Sequence, residues 1–331
     1  MRINLALQKL EERGLECGIV LKPENIYYLT EVFPTAFAVL LLKEEPLLYL
    51  SKMDIHLVSK CKIDVDIIEN FKKIHIPFKK IGIEESYMSY KFYRKKLHGK
   101  KIEDLDFIDE MRKIKDDKEI EKIKKSLKIA EKCMKEIIDL DMEGKSEKEV
   151  SAQISKCIKE KAELAFLPIV ASGKNSAIPH HSPTNKRIKK KDAIIIDLGA
   201  KVGYYNSDIT RTICSSPDEK FLEVYSIVVE CQKAAIKECY AGNKIKNIDI
   251  KAREIFREYN LEDYFLHSCG HGIGLEVHEP PKISKNSEGI LEKNMVITVE
   301  PGIYKEFGIR IEDMILVDKK PKILSKLRKL P

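Results

Sequence analysis

The sequence contains no tryptophan, and its eight cysteines include no C-x-x-C pair. The cysteines are Cys17, Cys61, Cys133, Cys157, Cys214, Cys231, Cys239 and Cys269. Their scattered spacing excludes a zinc ribbon and a thioredoxin-like motif. It predicts reduced, mostly buried thiols, although intracellular proteins of hyperthermophiles can carry disulfides. The absence of tryptophan beside abundant Lys, Glu and Ile is typical of thermophile composition, which concerns stability rather than activity.

Long apolar runs are also missing. The longest, residues 36–42, ends at Lys43 and is far shorter than the ~20 residues that a membrane span needs. The first ten residues contain no apolar stretch of the kind that a signal peptide carries. Basic and acidic residues, 60 and 53 in number, are interleaved along the chain, which argues against a nucleic-acid groove. These absences predict a cytoplasmic protein that binds neither membranes nor nucleic acid.

The length of 331 residues predicts about two domains, and the 43% of hydrophobic residues exclude a mainly disordered chain. A change of pattern near residue 113 divides the chain into residues 1–113 and 114–331. In the first part, a helix and short apolar strands alternate, which indicates an α/β domain. The strands are expected at residues 18–21, 36–42, 47–50 and 65–68. The histidines of this part, His56, His75 and His98, share no spacing and predict no chemistry there.

Two helices open the second part. Asp116 with Glu119, and Ser146 with Glu149, form capping-box signatures, each followed by apolar residues at three- and four-residue steps. Gly144 is expected to end the first helix. Further helices are expected at residues 219–240 and 248–259, and strands at 167–171, 193–200, 209–213, 295–299 and 309–317. Helices and strands in separate blocks indicate an α+β fold with a mainly antiparallel sheet and helices over one face.

Carboxylates interrupt the apolar runs of this second part. Asp197 lies within an isoleucine-rich run, Glu300 follows residues 296–299, and Glu312 follows residues 309–311. A buried ionised carboxylate needs a cation or several hydrogen bonds to compensate its charge. Taken alone, Asp197 could be satisfied by backbone N–H groups or by an arginine. The indication of a compensating cation therefore comes from the whole set of carboxylates and not from any single residue.

Together with Asp208 and His271, these residues supply four carboxylates and one imidazole. Four negative charges brought together would repel one another, and two divalent cations would balance them. Oxygen-rich ligation with one imidazole suits Mn²⁺, Co²⁺ or Fe²⁺. Glycines flank His271 and allow its backbone to approach a ligand or another chain segment closely. The sequence therefore predicts a two-metal site.

Five motifs contain or adjoin these residues: D-L-G-A from Asp197, S-D-I-T-R-T from Ser207, G-H-G-I-G-L-E-V-H-E from Gly270, V-E-P-G-I-Y from Val299 and R-I-E-D from Arg310. In order and spacing they resemble the pita-bread metallopeptidases, and most closely the Xaa-Pro dipeptidases (prolidases) and Xaa-Pro aminopeptidases. The resemblance implies a pita-bread catalytic domain behind a smaller, creatinase-like α/β domain. In that smaller domain, N-I-Y-Y-L-T from Asn25 resembles the start of a family strand, with Glu31 where glycine is common.

The resemblance also implies roles for the metal ligands. Asp197 would chelate one ion, Asp208 and Glu312 would bridge both ions, and His271 and Glu300 would complete the second. A hydroxide that bridges the two metals would be the nucleophile. Glu300 would carry a proton from the attacking water to the leaving nitrogen.

On the substrate side, the resemblance implies that His278 stabilises the scissile carbonyl and that His180 positions the substrate. Lys282 is the candidate cation for a free C-terminal carboxylate, where some relatives have arginine. Arg310 lies two residues before Glu312, so on one strand both side chains would share a face and could form an ion pair near the metals. Three other side chains are left open. His181 could contact the substrate or be only a loop residue, His267 could support a metal ligand or only pack, and Tyr304 could line the pocket or belong to the core.

The implied function is hydrolysis of the Xaa-Pro bond of dipeptides by an exopeptidase that holds two divalent ions per subunit. Mn²⁺ or Co²⁺ is expected first, and Fe²⁺ or Zn²⁺ is also compatible. An Xaa-Pro aminopeptidase that acts on longer peptides would share every ligand. A non-enzymatic binding protein of the same fold would typically lack several of the five ligands, which are all present. The resemblance further suggests a homodimer in which the N-terminal domain helps to wall the active site of the other subunit.

Overall fold

The computed structural model describes residues 2–329. The chain forms two compact units, Met1–Arg112 and Lys113–Pro331. Within the described residues, none of the helices has the length and the apolar character that crossing a membrane requires.

The N-terminal unit is built around one six-stranded sheet. Its elements are α1 Arg2–Glu12, β1 Cys17–Val20, α2 Pro23–Thr30, β2 Ala38–Leu42, β3 Leu47–Ser51, β4 Asp64–Ile68, β5 Lys80–Ile83, α3 Tyr90–Lys96, β6 Lys101–Asp104 and α4 Asp106–Lys113. The strand order is β4-β3-β2-β1-β5-β6, with β1 antiparallel to β2 and parallel to β5. Ile19, Val39 and Ile81 lie fully buried in its core. The predicted α/β pattern of this part is confirmed.

One expectation for this unit is wrong, because N-I-Y-Y-L-T forms helix α2 rather than the start of a strand. Pro23 occupies the first turn, where its fixed φ suits a helix and its missing N–H removes no hydrogen bond. Glu31 caps the C-terminus with φ 64° and donates its backbone N–H to the carbonyl of Tyr27. Glycine adopts this left-handed conformation most readily, which explains why glycine suits this position.

Within residues 113–329, the C-terminal unit combines four α-helices with short antiparallel strands. Its elements are α5 Asp117–Ile138, α6 Glu147–Lys159, β7 Glu163–Leu164, β8 Ile169–Ser172, β9 Ile194–Leu198, β10 Ala200–Val202, β11 Tyr205–Asn206, β12 Ile209–Ile213, α7 Glu219–Lys237, α8 Lys246–Glu258, β13 Gly270–Gly272, β14 Glu279–Ile283, β15 Val296–Val299, β16 Gly302–Tyr304, β17 Gly308–Arg310, β18 Asp313–Leu316 and β19 Lys322–Ile323. The two sheets that position the site have the orders β8-β9-β12 and β14-β13-β15-β18-β19. The predicted α+β class is confirmed.

The core of this unit lies where α7 and α8 cover the apolar face of the five-stranded sheet. Val228 and Ile248 of the helices and Ile297 and Ile315 of the strands are fully buried in one cluster. Because this apolar layer supports β15 and β18 from behind, the polar residues at their ends are held at fixed positions.

Both predicted capping boxes are present, at the starts of α5 and α6. Helix α5 nevertheless ends at Ile138, so the expected end at Gly144 is wrong. Asp141 accepts a hydrogen bond from the N–H of Glu143, and Gly144 has φ 76°. The chain therefore leaves the helix early and reaches α6 through a turn that needs the glycine.

The expected strand at residues 309–317 is also wrong as a single element. It is divided into β17 and β18, which belong to different sheets, and Glu312 lies in the break between them. The argument that Arg310 and Glu312 share one strand face therefore fails. A side chain at this break can point where a regular strand would not direct it.

Two of the cysteines are not reduced thiols as expected, because Cys133 of α5 and Cys157 of α6 form a disulfide. Both residues lie on the apolar faces by which the two helices pack, so helix packing brings their Cα atoms within 5.8 Å. The other six cysteines are free, and all of them except Cys61 are buried.

Candidate metal centre and active site

The first two candidate ligands lie on one hairpin. Asp197 is in β9, and Asp208 directly precedes β12, which pairs with β9 so that Thr210 lies opposite Asp197. Gly199 lies in the connection, where a Cβ atom would come within 2.1 Å of the carbonyl oxygen of Ser207. The close approach that glycine permits therefore brings the two carboxylates side by side.

Three neighbouring strands of the five-stranded sheet supply the other candidate ligands. His271 is in β13, Glu300 directly follows β15, and Glu312 directly precedes β18. Gly270 and Gly272, on either side of His271, have no room for a Cβ, because it would lie 2.1 and 2.2 Å from backbone oxygens of β15 and β14. These glycines thus serve the close approach of chain segments rather than that of a ligand.

All five predicted ligands belong to one cluster. Ligand atoms within 4.8 Å of one another occur in the sets Asp197/Asp208/Glu312, His271/Glu300/Glu312 and Asp208/His271/His278. The sets share members, so the cluster is continuous. His278 is close enough to be a sixth candidate, and its ring centroid lies 4.2 Å from that of His271.

Three carboxylate oxygens in the cluster have no hydrogen-bond partner among residues 2–329. They are Oδ1 of Asp197, Oδ1 of Asp208 and Oε1 of Glu312, and all are buried. Burial and then the charges of Glu312, Asp197 and Glu300 raise the pKa of Asp208, and burial and then Glu300 and Asp197 raise the pKa of Glu312 to about 8. Buried acceptors that lack donors among residues 2–329 and repel one another when ionised are stabilised in the ionised form by positive charge, so the residues present fit divalent cations.

The pKa of Glu300 moves in the opposite direction. Burial raises it, but the hydrogen bond and charge of His271 outweigh burial and lower the pKa to about 2. The two side chains approach to 3.3 Å between Nε2 and Oε1. Nδ1 of His271 lies 3.1 Å from the carbonyl oxygen of Gly272. Burial lowers the pKa of His271, but the hydrogen bond and charge of Glu300 outweigh burial and raise it, so the ring is protonated when it contacts Glu300. Loss of the Nε2 proton, with the Nδ1 proton still donated to the Gly272 carbonyl, would direct the Nε2 lone pair into the cluster, as metal ligation requires.

Arg310 contacts the cluster of candidate ligands from outside. Its Nη2 donates to Oδ2 of Asp197 at 2.7 Å, and its Nη1 donates to the hydroxyl of Tyr304 at 2.8 Å. The Tyr304 hydroxyl in turn lies 2.8 Å from Nε2 of His267. Asp197 is therefore paired with an arginine through one oxygen while its other oxygen lacks a partner. Arginine pairing and metal ligation are compatible for this residue.

The predicted substrate-side residues line one cavity of about 570 Å³ together with the candidate ligands. His180, His278 and Lys282 are more exposed than the carboxylates, so they lie towards its mouth. Among the residues left open, His267 lines the cavity, whereas His181 does not and contacts Glu147 at 2.9 Å.

Sequence reasoning missed several contributors to this cavity and cluster. The apolar lining residues Phe166, Ile169 and Val277 were not identified. Thr210, whose hydroxyl donates to Oε2 of Glu312 at 2.8 Å, lies within the motif S-D-I-T-R-T, so the motif itself was a signal. Thr298, which accepts from the backbone N–H of His271, gave none.

Comparison with known proteins agrees with this geometry. Residues 121–319 match Metallopeptidase family M24, and residues 2–114 match the Creatinase/Prolidase N-terminal domain. The chain belongs to metallopeptidase family M24, whose members are metal-dependent hydrolases, and divalent metal ions are its expected cofactors.

Individual relatives cover nearly the whole chain. An Xaa-Pro dipeptidase from Pyrococcus furiosus is 39% identical over 329 residues, which are 96% of this chain and 94% of the relative. The crystal structure of the prolidase from Pyrococcus horikoshii OT3 superposes with a TM-score of 0.95 at 39% identity and covers 99% of this chain and 98% of its own. An X-Pro aminopeptidase from Thermotoga maritima superposes with a TM-score of 0.86 at 34% identity, with 96% and 98% covered.

Proposed function

We propose that this chain is a two-metal dipeptidase that hydrolyses the bond between any residue and proline. The observation that carries the proposal is the set of three buried carboxylate oxygens that find no donor within residues 2–329, on residues that line the same cavity as His180, His278 and Lys282. The names of the relatives, Xaa-Pro dipeptidase and prolidase, support the substrate class.

The proposed ligands are the predicted ones: Asp197, Asp208, His271, Glu300 and Glu312. When bound, divalent cations supply the Lewis acidity that activates water and stabilises negative charge on the carbonyl oxygen. We propose Mn²⁺ or Co²⁺, with Fe²⁺ or Zn²⁺ as alternatives, because carboxylate oxygens outnumber imidazole nitrogens.

Glu300 is the proposed proton carrier. Its low pKa means that it is ionised before the reaction and can take a proton from the attacking water at Oε. It then gives that proton to the leaving proline nitrogen.

The other proposed roles belong to the cavity mouth. Burial and then the charge of His271 lower the pKa of His278, so its neutral ring can donate one N–H to the carbonyl oxygen of the substrate. His180 orients the substrate, and Lys282 binds the free C-terminal carboxylate of a dipeptide. The bond that precedes proline has no N–H that could donate a hydrogen bond to the enzyme. Contacts with the substrate groups on either side of that bond must therefore supply the binding.

Three further predictions accompany this proposal. We propose a domain boundary between residues 113 and 114, supported by the compact units and the matched ranges. The homodimer stays a prediction that sedimentation analysis checks. The cytoplasmic location stays one that cell fractionation checks.

The test is metal analysis of the purified chain, followed by assays with Ala-Pro and with a longer peptide that begins Ala-Pro. About two divalent ions per chain and turnover of Ala-Pro support the proposal. No metal after loading with Mn²⁺ or Co²⁺ would favour a non-enzymatic binding protein.

Turnover of only the longer peptide would favour an Xaa-Pro aminopeptidase. The variant Lys282→Met tests, in the same two assays, whether Lys282 binds the C-terminal carboxylate of the dipeptide. It should raise KM for Ala-Pro about tenfold and leave KM for the longer peptide nearly unchanged, because only the dipeptide places its carboxylate next to the scissile bond.

A further inference from the structure

A loop rather than a strand carries His180 into the cavity. We name residues 172–184 the His180 loop. It leaves the end of β8, forms a short 3₁₀ turn at Gly173–Ala177, and continues without strand pairing past His180. A substrate-positioning side chain on such a segment needs its backbone to be fixed by other contacts.

Glu147, the first residue of α6, supplies those contacts. Its side chain is fully buried. Oε1 accepts hydrogen bonds from the backbone N–H and the hydroxyl of Ser172, at 2.8 and 2.9 Å, and from Nδ2 of Asn175 at 3.0 Å. Oε2 accepts from the backbone N–H and the hydroxyl of Thr184, at 3.0 and 2.7 Å, and contacts Nε2 of His181 at 2.9 Å. One carboxylate therefore holds both ends of the His180 loop.

This carboxylate is not needed to cap its own helix. Ser146 and Glu149 already form the capping box of α6. Burial raises the pKa of Glu147, but the hydrogen bonds from Thr184, His181 and Asn175 outweigh it and lower the pKa to about 2. The side chain is thus an ionised acceptor at any working pH, and its donors come mainly from the His180 loop.

The opposite side of the loop is held by residues next to the metal cluster. Arg310 donates from Nη1 to the carbonyl oxygen of Pro179 at 3.1 Å while its Nη2 binds Asp197. The backbone N–H of Gly308 donates to the hydroxyl of Ser176 at 2.8 Å. The residue directly before His180 is therefore connected to a candidate metal ligand, and the loop ends are connected to Glu147.

We propose that Glu147 is a positioning residue for peptide hydrolysis, which acts by fixing the His180 loop and never touches the substrate. His181 then serves as one of the donors that bind the loop to Glu147, which accounts for its absence from the cavity lining. The inference rests on the proposed function, because it takes His180 to orient the peptide.

The test compares E147Q with the matched control E149Q in the metal-loaded full chain. Glu149 lies in the same helical turn, but its side chain is half-exposed and contacts Ser146 and Arg187 instead of the loop. Glutamine has one acceptor oxygen, and its NH₂ group would face the donors of the loop. We expect KM for Ala-Pro to rise about tenfold in E147Q with kcat within about threefold, while E149Q matches the wild type.

Two readouts separate positioning from a general loss of structure. Hydrogen exchange of the amides in residues 172–184 should accelerate in E147Q, with other segments and the metal content unchanged. In the double variant E147Q/H180A, KM should equal that of H180A alone, because Glu147 acts through His180. The proposal would be overturned if the factors by which the two substitutions raise KM multiplied in the double variant. It would also be overturned if amide hydrogen exchange in residues 172–184 were unchanged in E147Q.

If E147Q does not fold, N175A removes a single donor and should raise KM about threefold with the same local change in exchange. The wild type assayed in parallel tests the proposed function by itself. Wild-type kinetics in E147Q beside an active wild type would overturn only this inference, whereas an inactive, metal-free wild type would overturn the proposed function.

Discussion

Both units of the molecule bury carboxylates, but they satisfy them differently. In the N-terminal unit, Asp54 and Glu84 are buried and each accepts three hydrogen bonds. The donors to Asp54 are the backbone N–H groups of Thr35 and Ala36 and the Thr35 hydroxyl, and the donors to Glu84 are the backbone N–H groups of Leu21 and Lys22 and the Asn25 amide. These carboxylates organise turns and need no cation.

In the C-terminal unit, Asp197, Asp208 and Glu312 are equally buried, yet each keeps one oxygen without a partner within residues 2–329. Glu147 belongs to the same unit and is fully satisfied by hydrogen bonds. These carboxylates therefore differ in the number of hydrogen-bond donors around them, and not in how deeply they are buried or in which unit contains them. A buried acid that lacks donors indicates a cation site, whereas one that has them indicates a structural role.

The largest expected effect comes from Asp208→Asn. We expect it to lower kcat/KM by more than about 10³-fold and to reduce the bound metal, because a proposed metal ligand is lost. The metal-free variant should be at least as stable as metal-free wild type, since the substitution removes repulsion with Glu312, Asp197 and Glu300. Metal analysis and thermal unfolding in a chelator measure both quantities. A metal-free variant clearly less stable than metal-free wild type would indicate a structural role for Asp208. It would contradict the distinction between buried carboxylates that have donors and those that lack them.

The fold and the ligand cluster were predictable to the extent that their signals are local. Capping boxes and carboxylates inside apolar runs depend on residues a few positions apart, so α5, α6, Asp197, Glu300 and Glu312 could be identified. Asp208 and His271 were identified through the motifs that contain them. The break between β17 and β18 could not be identified, because apolar residues resume directly after Glu312 and Asp313, so the two strands resemble one strand interrupted by charged residues.

Contacts between residues that are distant in sequence could not be predicted either. Glu147 meets Ser172 and Thr184 only after α6 packs next to β8, and the Cys133–Cys157 disulfide depends on how α5 packs against α6. No spacing within either segment signals these pairs. Buried acids whose donors are distant in sequence therefore require the structure to be recognised.

The second expected effect tests Glu147, a buried carboxylate whose hydrogen bonds are complete, in the unit that also contains the candidate metal ligands. Its pKa in the folded chain, about 2, is below the ordinary 4.5, so its stabilisation is complete above pH 4.5 and is lost as the pH falls towards 2. The shift corresponds to about 3 kcal/mol. The difference in unfolding free energy between metal-free wild type and E147Q should therefore narrow by about 2 kcal/mol from pH 6 to pH 3. A difference that does not change with pH would contradict the assignment.

The smallest expected effect comes from Asp54→Asn in the N-terminal unit, the counterpart of Asp208→Asn. The amide would turn its NH₂ group towards donors that now bind an acceptor, namely Thr35 and Ala36. We expect the free energy of unfolding to fall by about 1 kcal/mol while kcat/KM and metal content stay at the wild-type values. Chemical denaturation and metal analysis on the same preparation measure this. Asp208→Asn and Asp54→Asn make the same chemical change, so opposite outcomes for stability and metal content would show that the number of hydrogen-bond donors distinguishes the two carboxylates. A loss of metal in Asp54→Asn would contradict this explanation.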